Sequence, residues 1–395
     1  MLTEPEALRH AAPHAAITCC LCGARLRRTV LNLGPSPIAL GTRAEGEPDH
    51  VHNLQIRVCD SCLLVQTQDP VAADCHPPPP SAVEQEHGHR LAQSLRMRLG
   101  LNETSLVVEI GDNRPSLLAW FRQDGIPGLS ETMSFNAATA MDIAVRSGRA
   151  DVVLADNVLQ LVPDLFDFAA GFAALLRPKG IVVIQVPHLL PIIQRAQFDA
   201  FRHDHRCYLS MAMIEQLLRS VGLRVFDSER LADRGGTLRI YACHPRAPHT
   251  ARPALKAIRA AEASAGLHVP ASYDGFAARV TVAREDIRDF LATRAAAGRR
   301  VAGYGVATLG TSMLSMCQVD QTHVVWIADP DGAHVGRFLP GCGIPVVSID
   351  ALTEDRPSDL LILPWPRAPE LVAELLTLRQ KGTQFWVLSP VIRRV

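Results

Sequence analysis

The sequence predicts an α/β protein in which a small metal-stapled domain precedes two doubly wound sheets. Three observations point there. Two Cys-x-x-Cys pairs lie within the first 62 residues, two separate series of short apolar strands alternate with amphipathic helices, and the run Pro77-Pro78-Pro79-Pro80 divides the first part from the second. Four consecutive prolines suit neither a helix nor a central strand. Apolar strands alternating with helices are the pattern of a parallel sheet covered on both faces. The implied boundaries are 1–76 for the metal-binding domain, 77–250 for the first sheet, and 251–395 for a helical linker with the second sheet.

The elements follow in order. After the prolines a helix is expected from about Ser81 to Leu101, then the strand LVVEIG, a helix near Ser116–Gln123 and a weak strand over Ile126–Leu129. The strand ADVVLADN, a helix around Leu165–Leu176 and the strand GIVVIQV complete the first series. The second begins at Arg300 with VAGYG, passes through a helix from about Thr311, HVVWIADP, IPVVSID and SDLLILPW, and closes with a helix from Pro369 and TQFWVLSP. An alanine-rich helical segment from about Arg252 to Ala297 joins the two.

Composition narrows the function classes. The 395 residues carry 40 basic and 40 acidic side chains and are 48% apolar, room for two or three domains. Balanced charge leaves no footprint for nucleic acid or an anionic membrane surface. The most apolar stretch, Gly180 to Ile193, is broken by Gln185, Pro187, His188 and Pro191 and is too short to span a bilayer. The N-terminus lacks the apolar centre of a secretory signal, so a cytoplasmic protein acting on a small molecule is expected. Ten cysteines are too few for a disulfide scaffold in that compartment, and paired spacing then points to metal.

Cys19-Cys20-Leu21-Cys22 and Cys59-Asp60-Ser61-Cys62 supply two knuckles separated by 36 residues, 23–58. Four thiolates from two knuckles make a closed tetrahedral Zn²⁺ site, which leaves no open position for a substrate, so the zinc is expected to be structural. The two-residue spacing favours Cys19 over Cys20 as the ligand beside Cys22, Cys59 and Cys62.

Short motifs in a fixed order carry a resemblance over nearly the whole chain. They are the two knuckles, Val107-Val108-Glu109-Ile110-Gly111, Asp156-Asn157-Val158-Leu159, Val186-Pro187-His188-Leu189-Leu190, His203-Asp204-His205, Gly235-Gly236-Thr237-Leu238-Arg239 and Gly303-Tyr304-Gly305. In these the chain resembles the nucleotide-sugar C-methyltransferases, which act on dTDP-4-keto-6-deoxy sugars. The resemblance implies a zinc-knuckle domain, a class I methyltransferase-like doubly wound sheet and a C-terminal Rossmann-like α/β domain. It also implies S-adenosylmethionine near Glu109, Gly111, Asn113, Glu131 and Asn157, and a nucleotide-linked keto sugar near His203, Gly235, Gly236, Arg239, Tyr304, Gly305 and Gly310.

The sequence departs from that family where the methyl donor lies. Gly111-Asp112-Asn113-Arg114-Pro115 puts Arg and Pro where the family has Asp and Gly, and Gly128-Leu129-Ser130-Glu131 leaves only a displaced Glu131 for the ribose. From Glu109 on the first strand to Asp151 at the fourth is 42 residues. Three parallel crossovers need roughly 60. One βα unit, the third strand with the adenine-holding loop, is therefore expected to be missing, which shortens the sheet and weighs against an intact S-adenosylmethionine site.

The acid–base residues survive better. Family chemistry removes the proton at sugar carbon 3, next to the ketone, and the resemblance assigns that base to His205. His188 matches another active-site histidine and is expected to steady the enolate together with Arg202, which stands where the family has tyrosine. Asp204 takes the place of a glutamate and is expected to orient a histidine. The Cys75-His76 and proline segment lacks the family's tyrosine and serines.

In the C-terminal part, Gly303 to Gly310 reads as a turn at a helix N-terminus, suited either to an anion or simply to close packing. Thr308 departs from a dinucleotide fingerprint, Asp329 mimics its ribose acid, and Leu309, His334 and Pro366 lack polar contacts present in the family. The sequence therefore points first to a ketosugar enzyme of epimerase or tautomerase type working without S-adenosylmethionine. The alternatives are an S-adenosylmethionine-dependent sugar C-3 methyltransferase and a catalytically silent homologue that binds a ligand or partner.

Overall fold

A computed structural model describes residues 17–38, 41–71, 82–111 and 116–395. The proline run, Cys75-His76 and Asn113 lie outside these residues.

The N-terminal part contributes strands β1 (Arg28–Pro37), β2 (Val51–Val58) and β3 (Val65–Thr67). Then come α1 (Ala82–Leu99), β4 (Val107–Ile110), α2 (Leu118–Gln123), β5 (Gly128–Glu131), α3 (Ala137–Ser147), β6 (Ala150–Asp156), α4 (Leu165–Leu175), β7 (Leu176–Pro187) and α5 (Leu189–Gln194). They are followed by β8 (Cys207–Tyr208), α6 (Met211–Ser220), β9 (Arg224–Leu231) and β10 (Thr237–Cys243). The linker forms α7 (Pro253–Ser264) and α8 (Phe276–Ala296). The C-terminal part holds β11 (Val301–Tyr304), α9 (Thr308–Met316), β12 (Ile327–Asp329), β13 (Val346–Ser348), α10 (Ala351–Glu354), β14 (Asp359–Ile362), α11 (Ala368–Glu374), α12 (Leu376–Gln380), β15 (Gln384–Val387) and β16 (Arg393–Arg394).

Strand burial explains the central sheet. All four residues of β4 are buried, as are the central residues of β6 and β7, the continuous apolar pattern of strands covered on both faces. The helices between them start at caps written in the sequence. Asn136 and Thr139 close a capping box on α3, the Asp164 side chain accepts the Asp167 amide on α4, and Ser210 accepts the Met213 amide on α6.

The strand order of this sheet is β5-β4-β6-β7-β10-β9. Strand β4 lies between β5 and β6, and the chain passes from β5 through the single helix α3 straight into β6. Among the described residues no strand lies beyond β5 on that edge, so the sheet lacks the third strand as the spacing required. Strands β9 and β10 add an antiparallel edge beyond the series of parallel strands. The C-terminal sheet runs β13-β12-β11-β14-β15-β16, parallel except for its last strand, the two-way winding of a Rossmann-like domain. No helix among the described residues is long and apolar enough to cross a membrane.

The three parts interlock. Strand β8, from the segment after β7, pairs with β3 and completes a four-stranded sheet, β1-β2-β3-β8, in the N-terminal part. Arg43 and Phe338 exchange both backbone hydrogen bonds at 2.9 Å, which joins the N-terminal part to the C-terminal one. The fully buried carboxylate of Asp199 accepts from the Trp365 indole at 2.7 Å and the Ser389 hydroxyl at 3.0 Å, so the central part is tied to the C-terminal one as well.

Candidate active site and zinc centre

The two knuckles are built alike. The Gly23 amide donates to Cys19 O at 3.0 Å and the Leu63 amide to Cys59 O at 2.9 Å, and both Gly23 and Leu63 take the left-handed conformation, φ 71° and 66°. Glycine does this freely, whereas Leu63 is held there against steric cost by the turn it closes. The turns bring the Sγ atoms of Cys19, Cys22, Cys59 and Cys62 within 4.8 Å of one another, with Cys19 to Cys62 at 3.5 Å and Cys22 to Cys59 at 3.6 Å. A tetrahedral centre with bonds of about 2.3 Å requires sulfur–sulfur edges of about 3.8 Å. The four cysteines therefore fit zinc, with Cys20 outside the set. The buried Gln66 side chain donates to Cys19 Sγ at 3.2 Å and accepts the Cys20 amide at 3.0 Å, orienting a ligand from outside the metal sphere.

From this centre a short path leads to the histidine segment. The Thr67 hydroxyl donates to His205 O at 2.6 Å, the Thr67 amide to Arg206 O at 3.1 Å, and the Val71 amide to His203 O at 2.8 Å. On its other side the segment rests on the central sheet, where the Arg206 amide donates to Gln160 O at 2.7 Å. Gln160 in turn donates to Asn157 O at 2.8 Å, just past the carboxyl end of β6. Residues 203–206 thus stand over the sheet edge at which such folds bind ligands.

Individual roles can be weighed from here. His205 is buried, and its Nδ1 has no hydrogen-bond partner among the described residues. Burial, reinforced by the Arg202 charge, pushes its imidazole down to about 3, so the ring stays neutral and is a weak proton acceptor at neutral pH. His203 is equally buried; Nε2 meets His52 O at 3.0 Å and Ser36 Oγ at 3.4 Å, and burial again lowers its affinity for a proton. Asp204 was expected to orient a histidine. Instead it takes a two-pronged bond from Arg202, Nε to Oδ1 at 2.8 Å and Nη2 to Oδ2 at 2.6 Å. Burial opposes ionisation of Asp204, but the Arg202 and His205 neighbours outweigh it and hold the carboxyl below its ordinary range. The fixed charge of Arg202 is thereby largely matched by an internal partner.

His188 follows the last residue of β7 at the same edge, only 2% exposed, and its Nε2 lies 2.8 Å from Oε1 of Glu262 on α7. Sequence reasoning missed Glu262. Its only signal was a lone acid within the small-residue run Ala260-Ala261-Glu262-Ala263.

On the donor side, Gly111 has φ 110° and its amide donates to Glu131 O at 2.8 Å. Glu131 is the last residue of β5, in register with Ile110, so the acid that looked displaced in sequence stands at the end of the second strand. Asn157 has φ 51° and its amide group donates to Asp156 at 2.8 Å. The Glu109 carboxylate accepts the Ser116 hydroxyl and, at 3.0 Å, the Leu117 amide at the start of α2; burial raises its affinity for a proton. Its oxygens are spent on Ser116 and the first turn of α2. Gly111, Glu131 and Asn157 thus share the carboxyl edge of β4, β5 and β6, and among the described residues no strand lies beyond β5.

The remaining residues are more structural. Gly235 and Gly236 have φ 87° and 126°, and a Cβ on them would meet Trp365 at 3.0 Å and Pro191 at 2.9 Å. Arg239 is buried between Gln185 at 2.7 Å and Glu229 at 2.9 Å. Tyr304 is buried at the end of β11, and Gly305 has φ 83°. Gly310 is a packing glycine, since a Cβ there would lie 2.4 Å from Leu363 Cβ and 2.9 Å from its backbone. Asp329 accepts the Val306 and Asp331 amides, so it is spent on holding the glycine turn.

Fold and centre together define a methyltransferase-type α/β protein with an N-terminal zinc module. Residues 19–75 match the model of a zinc binding domain, 85–228 that of a methyltransferase domain and 232–390 that of the C-methyltransferase C-terminal domain. Taken together these matches make the chain similar to the C-methyltransferases, whose nucleotide-sugar members its motifs resemble. It is 29% identical over 399 residues to C-methyltransferase NovU of Streptomyces niveus, covering 94% of this chain and 95% of that one. Among solved structures it is similar to a 1,6-didemethyltoxoflavin-N1-methyltransferase of Burkholderia thailandensis, at 19% identity over 45% of this chain and 94% of that one, with TM-score 0.30. A SAM-dependent methyltransferase of Archaeoglobus fulgidus matches at 12% identity over 39% of this chain and 93% of that one, with TM-score 0.31.

Proposed function

We propose that the protein transfers a methyl group to the carbon beside the ketone of a small, nucleotide-linked keto sugar. The observation that carries this reading is the sharing of one sheet edge. Glu131 and Gly111 end the strands on the donor side, while His188 and the 203–206 segment stand at the carboxyl ends of β7 and β6. S-adenosylmethionine, when bound, supplies an electrophilic methyl group. Glu131 would hold the ribose hydroxyls and Gly111 would let the backbone approach. On the acceptor side a neutral histidine takes the proton beside the ketone. The Gly235-Gly236 turn and Tyr304 are available to the sugar and its nucleotide. NovU, a named C-methyltransferase of nearly the same extent, supports the methyl-transfer reading over a donor-free one.

A second reading retains only the proton transfer, giving epimerisation or tautomerisation without S-adenosylmethionine. What favours it is that, among the described residues, no strand lies beyond β5 on the donor edge. Mass spectrometry separates the two, using dTDP-4-keto-6-deoxy sugars incubated with the protein and S-adenosylmethionine in heavy water. The proposal expects a protein-dependent gain of about 14 mass units or slightly more, a methyl group in place of a proton. Deuterium uptake without methyl gain would move the assignment to the second reading, and an unchanged spectrum would remove both for this substrate class.

A further inference from the structure

We propose that the cavity where the N-terminal, central and C-terminal parts meet is a site for one ordered water molecule, held by the hydroxyls of Ser36, Thr311 and Ser312. The water is the joint that fixes the histidine segment against the C-terminal part. This site does not depend on the methyl-transfer reading.

Three elements wall the cavity. Strand β1 contributes Ser36, the segment before β8 contributes Arg202 and His203, and α9 contributes Thr311, Ser312 and Ser315. The space open to the centre of a water molecule is about 10 Å³. A single water needs roughly 10–15 Å³ on that measure, together with two to four polar partners. A sugar or a phosphate does not fit, so size alone selects a water or a monatomic ion. Charge then separates these two. Arg202 is the only charged side chain on the wall among the described residues, and two of its nitrogens are bound by Asp204, which favours a neutral occupant.

The walls carry hydrogen-bonding capacity that the protein itself does not use. Thr311 and Ser312 are 0% and 1% exposed, and neither hydroxyl has a hydrogen-bond partner among the described residues. A helical Ser or Thr often bonds the carbonyl one turn back, and here neither does so. Ser36 is buried too, and among the described residues its hydroxyl meets only His203 Nε2, at 3.4 Å. That nitrogen lies 3.0 Å from His52 O, a pure acceptor, so it carries the ring hydrogen. The Ser36 oxygen can accept from it, but the Ser36 hydrogen is left without an acceptor. Three hydroxyls from two parts of the chain thus border one water-sized space. A water accepts the Ser36 hydrogen and keeps a second acceptor site and two donors for Thr311 and Ser312, which is the capacity they lack.

The test uses the full-length, zinc-loaded protein. A crystal structure at a resolution that orders single waters is expected to show one density peak within hydrogen-bond distance of Ser36 Oγ, Thr311 Oγ1 and Ser312 Oγ, refining as a water. Thr311→Val keeps the shape of the side chain and removes its hydroxyl. If the water is there, the variant leaves it one partner short and the urea midpoint should fall; if it is not, the same substitution removes an orphaned buried hydroxyl and the midpoint should rise. Ser36→Ala should lower the midpoint as well. The double variant should fall by less than the two shifts added, because the first substitution has already loosened the water that both hydroxyls hold. Hydrogen exchange at the Val71 amide, which donates to His203 O, should quicken severalfold in Thr311→Val, as a joint requires. A cavity without density, a peak refining as chloride, a raised or unchanged midpoint, additive shifts or unaltered Val71 exchange would each overturn the proposal. If the variants do not fold, the wild-type density decides alone.

Discussion

Replacing Cys62 with alanine is expected to remove zinc from the chain and, with it, the order of the histidine segment that begins 136 residues beyond the end of β3. Structural zinc contributes on the order of 10 kcal/mol to the folding of small domains, and Cys62 is a buried ligand of the four-cysteine set. Strand β3 follows Cys62 within three residues, and through it the module holds Cys207–Tyr208 in its sheet. Loss of the centre therefore releases the Thr67 and Val71 contacts to residues 203–206, while the Arg206 amide keeps its bond to Gln160 on the central sheet. Metal analysis combined with hydrogen exchange checks this. Zinc should fall from one per chain to none, protection should disappear at the Thr67 and Val71 amides, and it should persist at Arg206. A zinc-free protein with Thr67 and Val71 still protected would show that the module stands without its metal and that its link to the histidines is not a zinc-dependent one.

The second large effect concerns stability and pH. Asp199 is fully buried, and burial raises its carboxyl to about 6 from 3.8, although the Trp365 and Ser389 hydrogen bonds favour the ionised form. The folded state therefore binds the proton more tightly than the unfolded chain. The contribution is fully present below pH 3.8 and is lost as pH rises through about 6. At neutral pH the folded protein carries a buried charge that costs up to about 3 kcal/mol, at about 1.4 kcal/mol per pKa unit. Asp199→Asn keeps an acceptor and a donor for the two partners and removes the charge. Urea unfolding should show the variant more stable at pH 7 by about 2 to 3 kcal/mol, with the advantage shrinking toward pH 4. An advantage independent of pH, or a loss at pH 7, would mean that Asp199 is held as a well-compensated carboxylate.

Much of this was legible in the sequence because it is local. Cys-x-x-Cys spacing encodes its own geometry, and continuous apolar runs such as VVEI and the core of GIVVIQV read directly as doubly covered strands. The missing strand was legible by arithmetic, since 42 residues cannot hold three crossovers. What escaped depends on distant partners. Strand β8 is two residues long and exists only because β3 lies beside it, so no pattern within it signals a strand. The Arg202–Asp204 pair looked like His–Asp–His chemistry because sequence order shows neighbours, whereas Arg202 reaches across the turn to occupy both carboxylate oxygens. Glu262 lies 74 residues from His188 on a helix whose composition suggested a plain linker. Gly310 reads as a ligand glycine in its motif but serves close approach to Leu363.

The most direct test of methyl transfer is calorimetric titration of S-adenosylhomocysteine, the product form of the donor, into the zinc-loaded protein. If the donor site persists beside β4 and β5, one equivalent should bind saturably, and Glu131→Ala should weaken it about tenfold or more through loss of a charge-assisted contact to the ribose. No heat of binding at millimolar ligand, or equal binding in the Glu131 variant, would contradict the assignment of this edge to a methyl donor and leave the histidines to work on the keto sugar alone.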